Sequence, residues 1–232
     1  MKAKKIVTRW LVLPFVVLAS VVSSAQQLPP SSYYASVSNS TSTALKSALH
    51  DIIKGHTVIP YSATSFDTHD ALVVLDRDPS NSANVLLIYS GYSVAASTWP
   101  NWNREHIWPQ SFGVDSGDQN SDLFNLRACD QGVNSSRGNK YFDVSTGSIT
   151  YPTDAPSSSY DGDSWEPRDA DKGFVARATF YITTRYDGTG GDSDLQLADS
   201  PSAGAHVFAK RSRCWIGTGA FPQRTRSAPV TA

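Results

Sequence analysis

Residues 101–112 read Asn-Trp-Asn-Arg-Glu-His-Ile-Trp-Pro-Gln-Ser-Phe. A carboxylate, Glu105, stands next to an imidazole, His106, with the Arg104 guanidinium just before them. Two tryptophans and a proline enclose the group. A neutral imidazole can take a proton from water near neutral pH. A carboxylate oxygen suits a hard cation such as Mg²⁺ or Ca²⁺. Neighbours on a strand point to opposite faces, so these two side chains converge only where the chain turns. The bland alternative is a histidine satisfied by a backbone carbonyl beside a surface glutamate.

A second cluster follows in the run Val133-Asn134-Ser135-Ser136-Arg137-Gly138-Asn139-Lys140. Asn134 offers another oxygen to a hard cation. Arg137 and Lys140 can meet phosphate, the arginine through its two-pronged fork. A base, a cation site and one or two fixed positive charges suit hydrolysis of a phosphodiester. The alternatives are a helix cap for Asn134 and a solvated face for Arg137 and Lys140.

These groups need a scaffold, and the pattern around them predicts one α+β domain with long loops. Apolar residues at Leu45, Ala48, Leu49, Ile52 and Ile53 predict a helix over 43–55. A polar connection follows, with a short helix opening near Phe66. The apolar run 71–78 predicts a strand, turning at Pro79 to pair with a strand over 84–90. Residues 115–122 read as a polar loop. The stretch from Leu123 reads as strand or turn, and a helix starts near Val133 with Asn134 or Ser135 at its cap. Residues 143–163 read as a surface connection. A second helix is predicted over 169–186, with acidic residues at its start. His50 and His56 read as surface or cap residues.

The first 25 residues carry Lys2, Lys4, Lys5 and Arg9, then an apolar run and a small-residue end at Ser23-Ser24-Ala25. That is the pattern of a secretory signal peptide. The run is short for a membrane span, which needs about 20 residues. Removing these four basic residues lowers Lys+Arg from 20 to 16 against 21 Asp+Glu. No global positive charge advertises a polyanion partner, so any attraction must be local or come from a metal. Residues 26–43 read as a flexible lead-in. The two cysteines, Cys129 and Cys214, could pair in an exported chain but form no framework.

Three stretches together resemble one family. They are Asn103-Arg104-Glu105-His106-Ile107-Trp108-Pro109-Gln110-Ser111, Asp122-Leu123-Phe124-Asn125-Leu126-Arg127 and Val133-Asn134-Ser135-Ser136-Arg137-Gly138-Asn139. They look like the core motifs of the bacterial endonuclease I family, secreted or periplasmic non-specific nucleases with a ββα-metal (His-Me) finger. Trp165-Glu166-Pro167 and Lys172-Gly173-Phe174-Val175-Ala176-Arg177-Ala178 extend the likeness. It implies His106 as general base, Glu105 and Asn134 as metal ligands, and Arg137 as a catalytic phosphate contact. Arg104 and Lys140 are expected to bind substrate. It also implies Mg²⁺, with Mn²⁺ or Ca²⁺ fitting the same oxygens. The implied partner is DNA, with RNA often cut too, bound without sequence specificity, and products carry 5′-phosphates. A site that grips only phosphate, sugar and metal reads no base edges. The expected mature protein is a monomer, secreted or periplasmic and free of the membrane.

Three departures stand out: Phe124 in place of a usual histidine, Phe174 before the second helix, and residues 198–232. The nuclease-like domain is expected over 44–197, followed by an atypical tail, frame-shifted or diverged. That tail motivates a second reading, a catalytically impaired member that still binds nucleic acid. A serine hydrolase, prompted by Gly162-Asp163-Ser164 and Gly191-Asp192-Ser193, lacks a strand-flanked Gly-x-Ser-x-Gly.

Overall fold

The structure is a computed structural model, and it describes residues 29–37, 41–199 and 206–209. The leader segment, most of the tail and Cys214 lie outside the described residues. In chain order the elements are α1 (Ser42–Ile53), α2 (Thr68–Leu75), β1 (Arg77–Asp78), β2 (Asn81–Leu86), β3 (Ser93–Ala95) and β4 (Trp102–His106). Then come α3 (Gly117–Ser121), β5 (Leu126–Asp130), α4 (Gln131–Arg137), β6 (Tyr141–Phe142), β7 (Ser159–Tyr160) and β8 (Ser164–Glu166). The long helix α5 (Asp169–Arg185) and strands β9 (Gln196–Ala198) and β10 (Val207–Ala209) complete the order. The mixture of helices and short strands is the expected α+β class.

The centre is the antiparallel pair β4–β5, whose register runs from Trp102 opposite Asp130 to His106 opposite Leu126. Both faces of this pair are covered. Trp102, Leu126 and Ala128 pack with Leu72, Val85 and Leu87 on one side. Cys129 joins the larger cluster with Ile88, Ile107, Trp108, Trp165, Val175 and Ile182 on the other. The two-residue periodicity of β5 therefore feeds two cores. The other strands form a β1-β2-β3 sheet, a β6-β8-β7 sheet and the parallel pair β9–β10.

Two long-range anchors hold helices to β5. The Asp76 carboxylate at the end of α2 accepts the Ala128 amide at 2.7 Å and pairs with Arg127 Nε at 2.6 Å. The Arg127 guanidinium in turn lies 4.3 Å from the Phe174 ring centre on α5. Phe174 is thus a packing residue, and the helix-start charges of α5 come from Asp169 and Asp171.

The predicted strand over 71–78 is instead mostly helix: α2 takes Thr68–Leu75, and only Arg77–Asp78 pair with β2. The reason is local. The Asp67 side chain accepts the His69 amide at 2.7 Å, and Asp70 accepts the Asp67 amide at 3.0 Å. This reciprocal cap nucleates a helix that the short apolar run alone does not distinguish from a strand. Replacing Asp67 with alanine is expected to lower the unfolding free energy by about 1 kcal/mol in urea titration. The cap depends on an ionised carboxylate, and Asp67 sits below its ordinary pKa because the His69 and Ala63 amides outweigh burial. Its contribution is therefore present above the unfolded-state pKa, near 4, and fades as pH falls through the lower folded value.

Other expectations shift in smaller ways. The polar loop contains the short helix α3. The cap of α4 is Asp130, which accepts the Gly132 and Val133 amides, so Asn134 sits inside the helix rather than at its cap. His50 is buried, with its ring nitrogens against Thr184 O and Thr189 Oγ1, both 3.1 Å away. Among the described residues past Leu197, Val207–Ala209 form β10. Phe208 on β10 is fully buried against the rings of Trp108, Phe112, Tyr141 and Phe142. Gly113, at φ 95°, lies so close to the His206 ring that a Cβ there would clash.

Candidate active site

A cleft of about 680 Å³ opens over the end of β4 and the C-terminal half of α4, and Glu105, His106, Asn134 and Arg137 all line it. The opposite-face objection to Glu105 and His106 is met by position. His106 is the last residue of β4, so the strand's alternation ends there.

His106 is 7% exposed. Its Nε2 lies 2.9 Å from Asn120 O and 3.1 Å from Asn120 Oδ1, on α3. A main-chain carbonyl only accepts, so Nε2 carries the proton and the ring's lone pair is on Nδ1. Burial outweighs these bonds and brings the His106 pKa down to about 4. The imidazole is therefore neutral at neutral pH, the form a base requires.

Glu105 is 1% exposed. Its Oε1 accepts the Tyr89 hydroxyl at 2.7 Å and lies 3.2 Å from Arg137 Nη1. Burial pushes the carboxyl above its ordinary value, opposed by the Arg137 charge and the Tyr89 hydroxyl. Both contacts fall on Oε1 and neither on Oε2. Tyr89 itself is fully buried at φ 70°, a conformation non-glycine residues rarely hold without outside support. Its amide donates to Asp171 Oδ2 at 2.9 Å, and its carbonyl accepts Ser158 Oγ at 2.9 Å.

Asn134 donates through Nδ2 to Asn103 Oδ1 at 2.6 Å and to the Arg104 carbonyl at 3.2 Å. The acceptor-only carbonyl fixes which end of the amide is nitrogen, so Asn134 presents Oδ1 away from β4. A carboxylate oxygen and a carboxamide oxygen in one cleft form a hard donor set, and solvent can fill the remaining positions of a Mg²⁺ shell. The residues fit the implied ion.

The cations behave differently from one another. Arg137 is 1% exposed, and its fork is taken up by the protein. Nη1 donates to His106 O at 2.9 Å and Nη2 to Ile107 O at 2.7 Å, while the Phe142 ring lies 4.6 Å away. It locks the β4 end to α4. Lys140 does not line the cleft. Its Nζ donates to Ser136 O at 2.8 Å and lies 4.9 Å from the Tyr160 ring centre. Arg104 lines the cleft and is held by the Tyr61 carbonyl and by Thr68 Oγ1, the latter at 2.8 Å.

Phe124 does not line the cleft. It is 56% exposed and stacks on Tyr181 at 4.6 Å. Neither serine motif lines the cleft: Ser164 opens β8 and its Oγ donates to Asp161 at 2.8 Å, and Ser193 Oγ accepts from Gln119 at 3.3 Å. One further group, Asp67, His69 and Asp70, places three possible ligand atoms within 4.8 Å of one another. Its two carboxylates also cap α2.

Asn120, Tyr89 and Asn103 complete the site and had no signature in the sequence. Asn120 lies in a Ser, Asp and Gly-rich loop, Tyr89 in an apolar run, and Asn103 beside a more conspicuous Arg-Glu-His.

The profile of the Endonuclease I family matches residues 41–211, which includes the cleft and β10. Two curated relatives are similar over 183 residues, 76% of this chain and 61% of their own length. One is the "Extracellular ribonuclease" of Bacillus amyloliquefaciens, 46% identical. The other is the "Extracellular ribonuclease" of Bacillus subtilis (strain 168), 43% identical. The chain thus spans under two thirds of the length of these relatives. No solved structure matches. Among the described residues, no helix is long and apolar enough to cross a membrane.

Proposed function

Because the chain belongs to the Endonuclease I family, we propose that it is an exported endonuclease that hydrolyses phosphodiester bonds in RNA and DNA without base specificity. The observation that supports this reading is the shared cleft, which His106 and Glu105 of β4 and Asn134 of α4 all line.

His106 Nδ1 takes the proton of the attacking water while Asn120 holds the ring through Nε2. Glu105 and Asn134 would hold the divalent cation, Mg²⁺ in keeping with the family resemblance, which corresponds to β4, β5 and α4 acting as the ββα-metal finger. When bound, that ion supplies positive charge at the phosphoryl and leaving oxygens. Arg137 keeps the two halves of the site in register by bonding the carbonyls of His106 and Ile107. Arg104 is the cleft's cation for substrate.

Water as nucleophile makes the 2′-hydroxyl unnecessary, so one site serves both nucleic acids. The relatives' printed names support RNA as a substrate. The test is cleavage of labelled RNA and plasmid DNA by the purified mature chain, with Mg²⁺ and with EDTA. Cleavage that stops with EDTA supports the reading, and equal cleavage in both conditions contradicts it.

The His106 environment sets the pH dependence. Its neutral form persists down to about pH 4. The acid limb of the kcat/KM profile assigned to the base is therefore expected near 4, below the unperturbed histidine value of about 6.5. An acid limb at or above 6.5 would show that His106 is not held as described.

A further inference from the structure

Building on the nuclease reading, we propose that Trp99, together with the stacked pair Arg104 and Tyr61, forms a subsite for an unpaired nucleobase next to the scissile phosphate. This subsite makes single-stranded nucleic acid the favoured substrate.

Trp102, Trp108 and Trp165 are fully buried, whereas Trp99 is 36% exposed. A single exposed apolar side chain needs no explanation. Trp99, however, is one of three flat groups lining the same cleft as Glu105 and His106. The Arg104 Cζ lies 4.0 Å from the Tyr61 ring centre and 5.4 Å from that of Trp99. None of the three is loose. Trp99 packs edgewise on Trp102 at 5.1 Å and on His69 at 4.5 Å. Arg104 is tied to Thr68 Oγ1 at 2.8 Å, and the Tyr61 ring lies 5.6 Å from that of His106.

The flat groups come from the chain before α2 and from the chain into β4. Ser111, Asn134 and Asn139, from the turn after β4 and from α4 onward, are polar and suit sugar and phosphate oxygens. Every base has a π-face, and bases stack on indole rings and on guanidinium planes without regard to sequence. Such a subsite therefore raises affinity while preserving the absence of base specificity. In a duplex both faces of each base are covered by its neighbours, so engagement requires unstacking. An unpaired base engages without that penalty.

The test uses the full mature chain and 5′-labelled single-stranded oligonucleotides, unmodified or carrying one abasic residue, with the matching duplexes as a second substrate. Wild type, Trp99→Ala and Trp99→Leu are compared. The leucine variant keeps an apolar contact with Trp102 but has no flat face, and circular dichroism reports its fold. One missing base is expected to slow wild-type cleavage at a single neighbouring bond by about 5- to 150-fold, the worth of one aromatic–base stack. Both variants are expected to cut every bond more slowly and to lose that abasic effect. Their preference for single strand over duplex should shrink by the same factor. An abasic effect of unchanged size in the variants, or none in wild type, would overturn the subsite while leaving the nuclease reading intact. No cleavage of any substrate by folded wild type would overturn that reading and the subsite with it.

Discussion

Replacement of His106 by alanine is expected to reduce kcat on both RNA and DNA by about 10²- to 10⁴-fold, the usual worth of a positioned general base. Among the described residues lining the cleft, His106 supplies the only imidazole, and it is neutral at neutral pH. Its Nε2 is committed to Asn120, and burial lowers its pKa to about 4. Glu105 does not replace it, because its carboxylate is tied to Tyr89 and Arg137. Initial rates at saturating substrate measure the effect, and circular dichroism confirms that the variant folds. A fully active variant would remove His106 from the base role.

Replacement of Arg137 by methionine is expected to act mainly on stability, lowering the unfolding free energy by about 3–5 kcal/mol. The guanidinium is buried within 3.2 Å of Glu105 and bonds two main-chain carbonyls at the end of β4. Removing it leaves a buried carboxylate without its counter-charge and two carbonyls without donors. Arg137→Lys keeps the charge but not the fork, so it should be intermediate. Chemical denaturation measures both. An arginine whose role was to grip phosphate would instead raise KM and barely move the unfolding midpoint. The fork's bonds to the His106 and Ile107 carbonyls favour a positioning role over the direct phosphate contact expected from the motif.

The difference shows what was legible and what was not. Glu105, His106 and Asn134 stood out because their types and motif spacing suit the chemistry, and they line one cleft. Helix α1 was readable from apolar periodicity, and α5 from its apolar face and acidic start. The partners of Arg137 were not legible because an arginine's sequence neighbours do not reveal whether its fork meets solvent or backbone. The partners Asn120 and Tyr89 come from 14 and 16 residues away along the chain and become partners only through tertiary packing. The run 71–78 was ambiguous because five apolar residues fit either period, and the reciprocal Asp67–Asp70 cap decided it. Phe208 was hidden in a segment without periodicity, yet one aromatic side chain is enough to dock β10 against Trp108.

The account depends on water, rather than a neighbouring ribose hydroxyl, attacking phosphorus in the cleft of Glu105, His106 and Asn134. Cleavage of RNA in ¹⁸O-enriched water, followed by mass spectrometry of the new ends, tests this directly. The predicted result is one heavy oxygen in a 5′-phosphate at each break. Unlabelled 2′,3′-cyclic phosphate ends, with 5′-hydroxyls opposite them, would contradict it.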